Sequence, residues 1–384
     1  MRMRKMYDVV IIGGGMSGIV LAIYLKQHNI NACIIEANQK IGKKILASGN
    51  GKCNILNEHL SLDKYNNDFP KDTLQNNGYK SLLNFYSNLG LKLRADKEGR
   101  VYPYSESANT VLNVFLDQIA KLNIDIFTNE KVLSISKQNN SFEVKTGDSS
   151  YFGTSIVLAS GSNASFGINS HAIIAQFGHK ATRFEQSLVP IKINALKGCN
   201  GVRSKANASL FINGKLITTR SGEFLFKDNA LSGILAFELS SFISREKVRN
   251  DGIDAYIEID FMPEYGEDEI NDFIDNSSLA HPLTGLLHKA IALNFEDSEN
   301  IAYDIKHYKC KVLGLMGLDN AQVLSGGLET KDFNAKTFES KLCENLYAVG
   351  EVLDVDGECG GYNLSFAASS ALSAAKAIIE KKCK

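Results

Sequence analysis

No run of about 18 uninterrupted apolar residues occurs in this 384-residue chain, so the sequence predicts no membrane-spanning helix. Disulfide and metal frameworks are missing too. Cys33, Cys53, Cys199, Cys310, Cys343, Cys359 and Cys383 are scattered, odd in number and never spaced C-x-x-C. That argues against a zinc ribbon or a dithiol redox centre and predicts a reducing, cytoplasmic setting. Nor is there an excess of charge: 42 Lys and Arg face 43 Asp and Glu. So even a balance gives no electrostatic reason to expect nucleic acid or an anionic membrane as partner. Internal repeats and low-complexity linkers are absent, and the length suggests about two to three domains.

What is present starts at once. "MRMRKMYDVVIIGGGMSGIVLAIYL" imitates a signal peptide, but glycines break the apolar run, which flows into a βαβ pattern. Val9 to Ile12 suit a strand buried on both faces. Gly13, Gly15 and Gly18 then give G-x-G-x-x-G, with Met16 and Ser17 inside the turn. The first glycine permits the tight turn, the second a close approach to a pyrophosphate, the third close helix packing. The helix N-terminus adds free N–H groups and a positive dipole end. Asn29 stands where the helix should stop. The next strand, Ala32 to Ile35, leads to Glu36 and Ala37. A carboxylate there is placed to accept ribose hydroxyls and disfavours a 2′-phosphate. The agreement of strand, spacing, helix stop and acid makes this a dinucleotide site rather than a structural glycine loop. It does not separate NAD from FAD, which share the ADP half.

Three later landmarks choose FAD. "NQKIGKKILASGNGKCNILN" is a loop rather than another βαβ unit. Its Lys43, Lys44, Ser48, Gly49, Asn50 and Asn54 can wrap an extended polar ligand. From Lys131 onward two alternating runs, the first containing Val132, read as a β-meander, followed by a strand ending at Ala159-Ser160-Gly161. Finally "NLYAVGE" is a short buried strand ending in Gly350 and Glu351. Gly360, Gly361, Tyr362 and Asn363 then lead into a small-residue helix from about Leu364, whose N-terminus would favour negative charge on a reduced flavin ring.

The fold expected is α/β: a Rossmann-like FAD-binding domain, with a parallel sheet and β-meander, over residues 1–188 and 318–384. An inserted domain, 189–317, interrupts it. Barrel strands are expected at about 189–228, 252–262 and 300–317, with turns at "NGK" and "SGE", and a helical subdomain at about 229–250 and 263–299. The insert is expected to cover the flavin and shape a substrate pocket. His171, His179, His281, His288 and His307 invite catalytic readings, and His281 and His288 would share a helix face. No acid stands near them at ligand spacing, so no metal site is expected. Cys359 and Tyr362, in the flavin-side loop, are the catalytic candidates, and Cys359 reads equally as a buried thiol.

With these residues in view, the chain resembles the BaiN-like, or aminoacetone oxidase-like, FAD-binding oxidoreductases of bacteria. The resemblance runs through nearly the whole length, on "IIGGGMSGIVLA", "GKKILASGNGKCNILN", "VYPYSESANTVL", "SLVPI", "GEFLFKDNALSGILAFELS", "LSGGLET", "TFESK" and "GEVLDVDGECGGYNLSFAASS". One departure stands out: "ASGSNASFGINSHAI" lacks the proline and several glycines usual there, which puts the flavin edge in question. The resemblance implies a two-dinucleotide-fold flavoprotein with non-covalent FAD, an inserted barrel and a small helical domain. It also implies either NAD(P)H-dependent reduction of double bonds in steroid-like substrates or amine oxidation.

The expectation is therefore a cytoplasmic FAD-dependent oxidoreductase acting on a small organic molecule. NADH or NADPH would dock transiently, because no second G-x-G-x-x-G occurs. An amine oxidase is the alternative. A tRNA-modifying flavoprotein would require a basic stripe with exposed aromatics, and a redox sensor would hold flavin without turnover.

Overall fold

The computed structural model describes residues 5–147, 149–162, 171–194, 196–250 and 252–383. The chain divides into two compact units, Met1–Phe184 with Gly326–Lys384, and Glu185–Ser325.

The first unit is built on a seven-stranded sheet. Strand Met6–Ile12 lies parallel between Ala32–Ile35 and Ser150–Leu158, and Asp125–Phe127 extends the parallel edge. Residues Val9 to Ile12 are buried, as a strand covered on both faces requires. Strand Ser150–Leu158 changes character halfway. Its first residues pair antiparallel with Ser141–Lys145, the middle of the meander, while Ile156 to Leu158 pair parallel with Leu346–Ala348. Burial follows the pairing: alternating in the first half, continuous in the second. The fingerprint helix Met16–Gln27 packs against the C-terminal helix Tyr362–Lys382. The latter starts two residues earlier than expected, because Gly361, at φ 94, breaks the extended chain into the helix.

The second unit is a closed six-stranded barrel: Ile191–Ile193, Ala230–Ser232, Lys215–Lys227, Arg203–Ile212, Ala255–Asp260 and Tyr308–Leu315, in that order around the ring. Ala206 and Ala208 point inward and leave space for Phe224 and Phe226 from the next strand. The hairpin turn at Asn213-Gly214 is as expected, both residues having positive φ.

Four local expectations are corrected. "SGE" is no turn. Lys215–Lys227 is one strand, and Gly222 lies within it because helix Ile234–Arg249 crosses there, leaving a Cβ 3.3 Å from Leu235. Ala230–Ser232 is a barrel strand rather than helix, held between two neighbours. Residues 300–306 are not a strand: Asn300 caps a helix, Ile301–Lys306, by accepting from the Tyr303 N–H. His281 and His288 do not share a helix; one precedes the turn Pro282–Gly285, the other caps Lys289–Ala292. Residues 185–188 and 318–325 also group with the barrel unit. Glu185–Ser187 and Val323–Ser325 pair with each other there and pack on helix Ile234–Arg249.

The tightest point of the first unit is Gly18, where an added Cβ would lie 2.0 Å from the Gly13 carbonyl oxygen. Gly18→Ala is expected to lower stability by about 1–3 kcal/mol through overpacking, measured as a shift in the urea unfolding midpoint of the first unit.

Candidate cofactor site

The fingerprint turn is set by backbone geometry. Gly13 has φ 110, and a Cβ on it would lie 2.4 Å from the Ala159 carbonyl oxygen. Its N–H donates to Ile35 O, tying the turn to the second strand. Gly15 is the N-cap of the helix, makes no side-chain cap, and faces open space where a Cβ would meet nothing within 4 Å. The first turn of a helix has N–H groups without intrahelical partners, so this opening suits a phosphate. Met16 and Ser17 are buried at the helix start. Glu36 is buried at the end of the second strand. One carboxylate oxygen accepts the Gly14 N–H at 2.8 Å, the other accepts Asn38 N at 2.8 Å and Asn38 Nδ2 at 2.7 Å. Those bonds fix its direction and leave lone pairs for a ribose.

The loop after Glu36 returns to this turn, with the Gly42 N–H donating to Gly14 O at 2.8 Å. Lys44 reaches Glu351 at 2.5 Å, and Ser162 donates to the other Glu351 oxygen at 2.6 Å. Three separate segments therefore converge on one half-buried carboxylate. Gly49, Asn50, Gly51 and Cys53 all have positive φ, a curl that turns backbone N–H groups toward a concavity. Ser48 closes the loop internally by donating to Ile45 O.

The C-terminal turn closes against the same loop. Asn57 donates to Gly360 O at 2.8 Å, and Tyr65 donates its hydroxyl proton to Tyr362 O at 2.9 Å. A Cβ on Gly361 would meet Leu56 O at 2.6 Å and Asn54 Oδ1 at 2.7 Å. Gly350 has Ser17 Oγ so close that a Cβ would lie 2.2 Å from it.

Other expected site residues do different work. Asn363 clamps Gly357 with both ends of its amide, so it shapes the loop rather than offering its side chain to a ligand. Lys43 donates to Asn38 Oδ1 rather than joining Lys44. Val132 and Ala159 are buried apolar residues, and Ala37 is half-buried. Gly161 continues the turn with φ 67. Tyr362 is buried, its ring set edge-on to Tyr65 at 6.3 Å. Burial, then Tyr362, holds the Tyr65 hydroxyl well above the usual tyrosine range. Cys359 is half-buried, whereas burial pushes the Cys53 thiol up to about 11. The "ASGSNASFGINSHAI" departure falls mostly on residues 163–170, outside the described residues, and the side chain of His171 lies outside them too.

The other candidate histidines have partners within the protein. His179 is buried, stacked on Phe333 at 4.7 Å, with Nε2 against Ser340 Oγ at 2.9 Å; burial lowers its pKa. His281 faces Glu296, and His307 faces Glu258. Among the described residues no group of three or more His, Cys, Asp or Glu is arranged to hold a metal. Asn57, Tyr65 and Ser162 carry no signal in the sequence, because only the closed chain brings them to the glycine turns.

Two atoms test whether this cradle fits FAD. Asn54 Oδ1, beside Gly361, and Ser160 Oγ, after the Ser150–Leu158 strand, are buried and have no hydrogen-bond partner among the described residues. A buried polar atom without a partner costs about 1–3 kcal/mol, so both positions favour a ligand with polar edges. With the open Gly15 face and the curled 49–53 loop, they fit a long, polar dinucleotide. Asn54→Leu is therefore expected to raise the thermal midpoint of flavin-free protein, by an amount equivalent to about 1 kcal/mol, and to lower the flavin retained by purified protein. Differential scanning fluorimetry and the flavin-to-protein absorbance ratio read the two effects separately.

Comparison with known proteins places the fold. The 3-dehydro-bile acid delta(4,6)-reductase of Clostridium scindens is 30% identical to this chain, over 98% of it and 100% of the relative. The ribosomal RNA dihydrouridine synthase of Escherichia coli is 24% identical, over 98% of this chain and 99% of its own. Among solved structures, the 3-ketosteroid-delta4-(5alpha)-dehydrogenase of Rhodococcus jostii RHA1 superposes with a TM-score of 0.53 at 12% identity, covering 97% of both chains. A model described as the HI0933-like protein Rossmann domain matches residues 7–377. With the glycine cradle and the sheet it hangs on, that match makes this chain a member of the HI0933-like family, with the family's Rossmann-like FAD-binding fold.

Proposed function

We propose that this FAD-dependent oxidoreductase draws electrons from NADH or NADPH and saturates a carbon–carbon double bond conjugated to a carbonyl in a small organic substrate. The convergence of Lys44, Ser162 and Glu351 with both glycine turns carries the cofactor part of this reading. The relatives support the bond change. One is named for reducing a dehydro bile acid and another for making dihydrouridine, which is uridine with two hydrogens added across a double bond beside a carbonyl.

Bound FAD would supply the hydride-transfer chemistry. The chain's own residues hold and polarise. The helix starting at Met16 and the curled loop at 49–53 would hold phosphate and polar edges, and Glu36, fixed by Gly14 and Asn38, would accept from the ribose. The N-terminus of Tyr362–Lys382 favours negative charge nearby. Hydride addition to the double bond leaves negative charge on the conjugated oxygen, and a proton must complete the product at the neighbouring carbon. Tyr362, the first residue of this helix, is the candidate donor of that proton, and Cys359, in the loop before it, is the alternate. A nicotinamide would dock transiently, as the sequence holds one G-x-G-x-x-G only.

The test is anaerobic mixing of flavin-loaded protein with NADH and with NADPH, followed by a steroid enone, while flavin absorption is recorded. Bleaching by a nicotinamide and recovery on adding the enone are expected. Flavin that stays oxidised with both donors but bleaches with a primary amine overturns the reductase in favour of an amine oxidase. If the enone turns over, Tyr362→Phe is expected to slow recovery by about 10²-fold and leave bleaching unchanged.

A further inference from the structure

We propose that Asn66 is a positioning residue, which fixes the turn at 357–361 so that Cys359 and Tyr362 are held in place for proton transfer. The inference rests on the reading above, in which this turn supplies the proton. Residues 64–67 carry no motif, yet each of the four is tied to the segment 354–362. The Asn66 N–H donates to Asp356 O at 3.0 Å, and Asn66 Oδ1 accepts the Asp356 N–H at 3.1 Å. One residue therefore engages both backbone groups of Asp356. Nδ2 of the same amide donates to Asp354 Oδ1 at 3.1 Å. An amide places an acceptor and donors on one planar group, whereas a carboxylate only accepts and an alanine side chain does neither.

The ties continue on both sides of Asn66. Tyr65 forms an antiparallel bridge with Gly357 and donates its hydroxyl proton to Tyr362 O. Lys64 O accepts the Glu358 N–H at 2.9 Å, and Lys64 Nζ lies 3.2 Å from Glu358 Oε2. Asn67 Nδ2 donates to Asp354 O at 2.6 Å. Asp354 is anchored from a further direction. Its other carboxylate oxygen accepts from Thr182 Oγ1 at 3.0 Å, and its N–H donates to Leu328 O at 2.9 Å. Asn66 thus joins an anchored residue, Asp354, to the chain that feeds the turn.

The turn itself is built to bend, with Gly360 and Gly361 at φ 122 and 94. Asn363 braces Gly357, and Asn57 braces Gly360 O, but neither reaches Asp354 or Asp356. Asp356 and Glu358 are 1% and 6% exposed, so a backbone group released there finds little water to replace its partner. Loss of the Asn66 amide would therefore favour local opening of the whole segment. Proton transfer is sensitive to such looseness, because a misplacement of about 1 Å costs about 10²-fold in rate. Looseness at Asp356 is passed along the chain to Cys359 and Tyr362.

The test uses the flavin-loaded full chain in a Cys383→Ser background, where Cys359 is the one cysteine that is not buried. Its thiol is titrated with an aromatic disulfide reagent at constant pH, and the rate of colour release is recorded. Asn66→Ala removes two side-chain hydrogen bonds, so this rate should rise by about ten-fold or more. Asn66→Asp keeps the shape and the acceptor but sets a carboxylate against Asp354, and should raise the rate as well. In both variants bleaching by the nicotinamide should be unchanged, while recovery with a steroid enone slows by roughly ten- to hundred-fold. A residue with a merely structural role would move bleaching, recovery and the flavin-to-protein ratio together. A parent-like thiol rate in both variants overturns the proposal, as does a loss of bleaching in proportion to recovery. A parent that bleaches but never recovers with an enone overturns the double-bond reading instead, and a raised thiol rate then still upholds Asn66 as the residue that positions the turn.

Discussion

The first unit depends on a place where one more carbon will not fit. Gly350 follows the strand Leu346–Ala348 after one intervening residue, donates its N–H to Ser370 Oγ, and lies against Ser17 of the fingerprint helix. Both helices close on the sheet because this residue has no side chain. Glu351 follows at once, so the same contact fixes the carboxylate that Lys44 and Ser162 approach. Packing and chemistry are set here by one steric constraint. Polar ties repeat it further along the C-terminal helix, where Thr73 and Asn77 bond Ser373 and Ser369 accepts and donates within the same seam.

Much of this could be read from the sequence, and the reason is local. The fingerprint turn, the strand Ala32–Ile35 and the left-handed stop at Asn29 each follow from a few adjacent residues. The C-terminal turn is readable in the same way. What the sequence hid was decided by distant neighbours. Gly222 has the look of a turn residue, but it lies inside a long strand where a helix crosses. His281 and His288 are seven apart, but Pro282 and a short turn separate them. Asn57 and Tyr65 become part of the cradle only when the chain's last segment folds over them. Composition misleads in another way. A sum near zero is compatible with any distribution: the six barrel strands carry eight Lys and Arg against three Asp and Glu, while residues 263–300 carry nine Asp and Glu against one Lys.

Strand Ser150–Leu158 has a further consequence, for the order in which the molecule is made. Its first half finds partners within the preceding few residues, in the meander. Its second half waits for Leu346–Ala348. Between the two lies the whole barrel unit, whose strand pairs are all internal to Glu185–Ser325. During synthesis, which proceeds at roughly 5–20 residues per second, the edge at Ile156 to Leu158 therefore stays open for roughly 10–40 s after it emerges. An apolar edge left unpaired is a template for the wrong strand. For a nascent chain, the inserted barrel is thus also a delay, and the last parallel strand is the one that ends it.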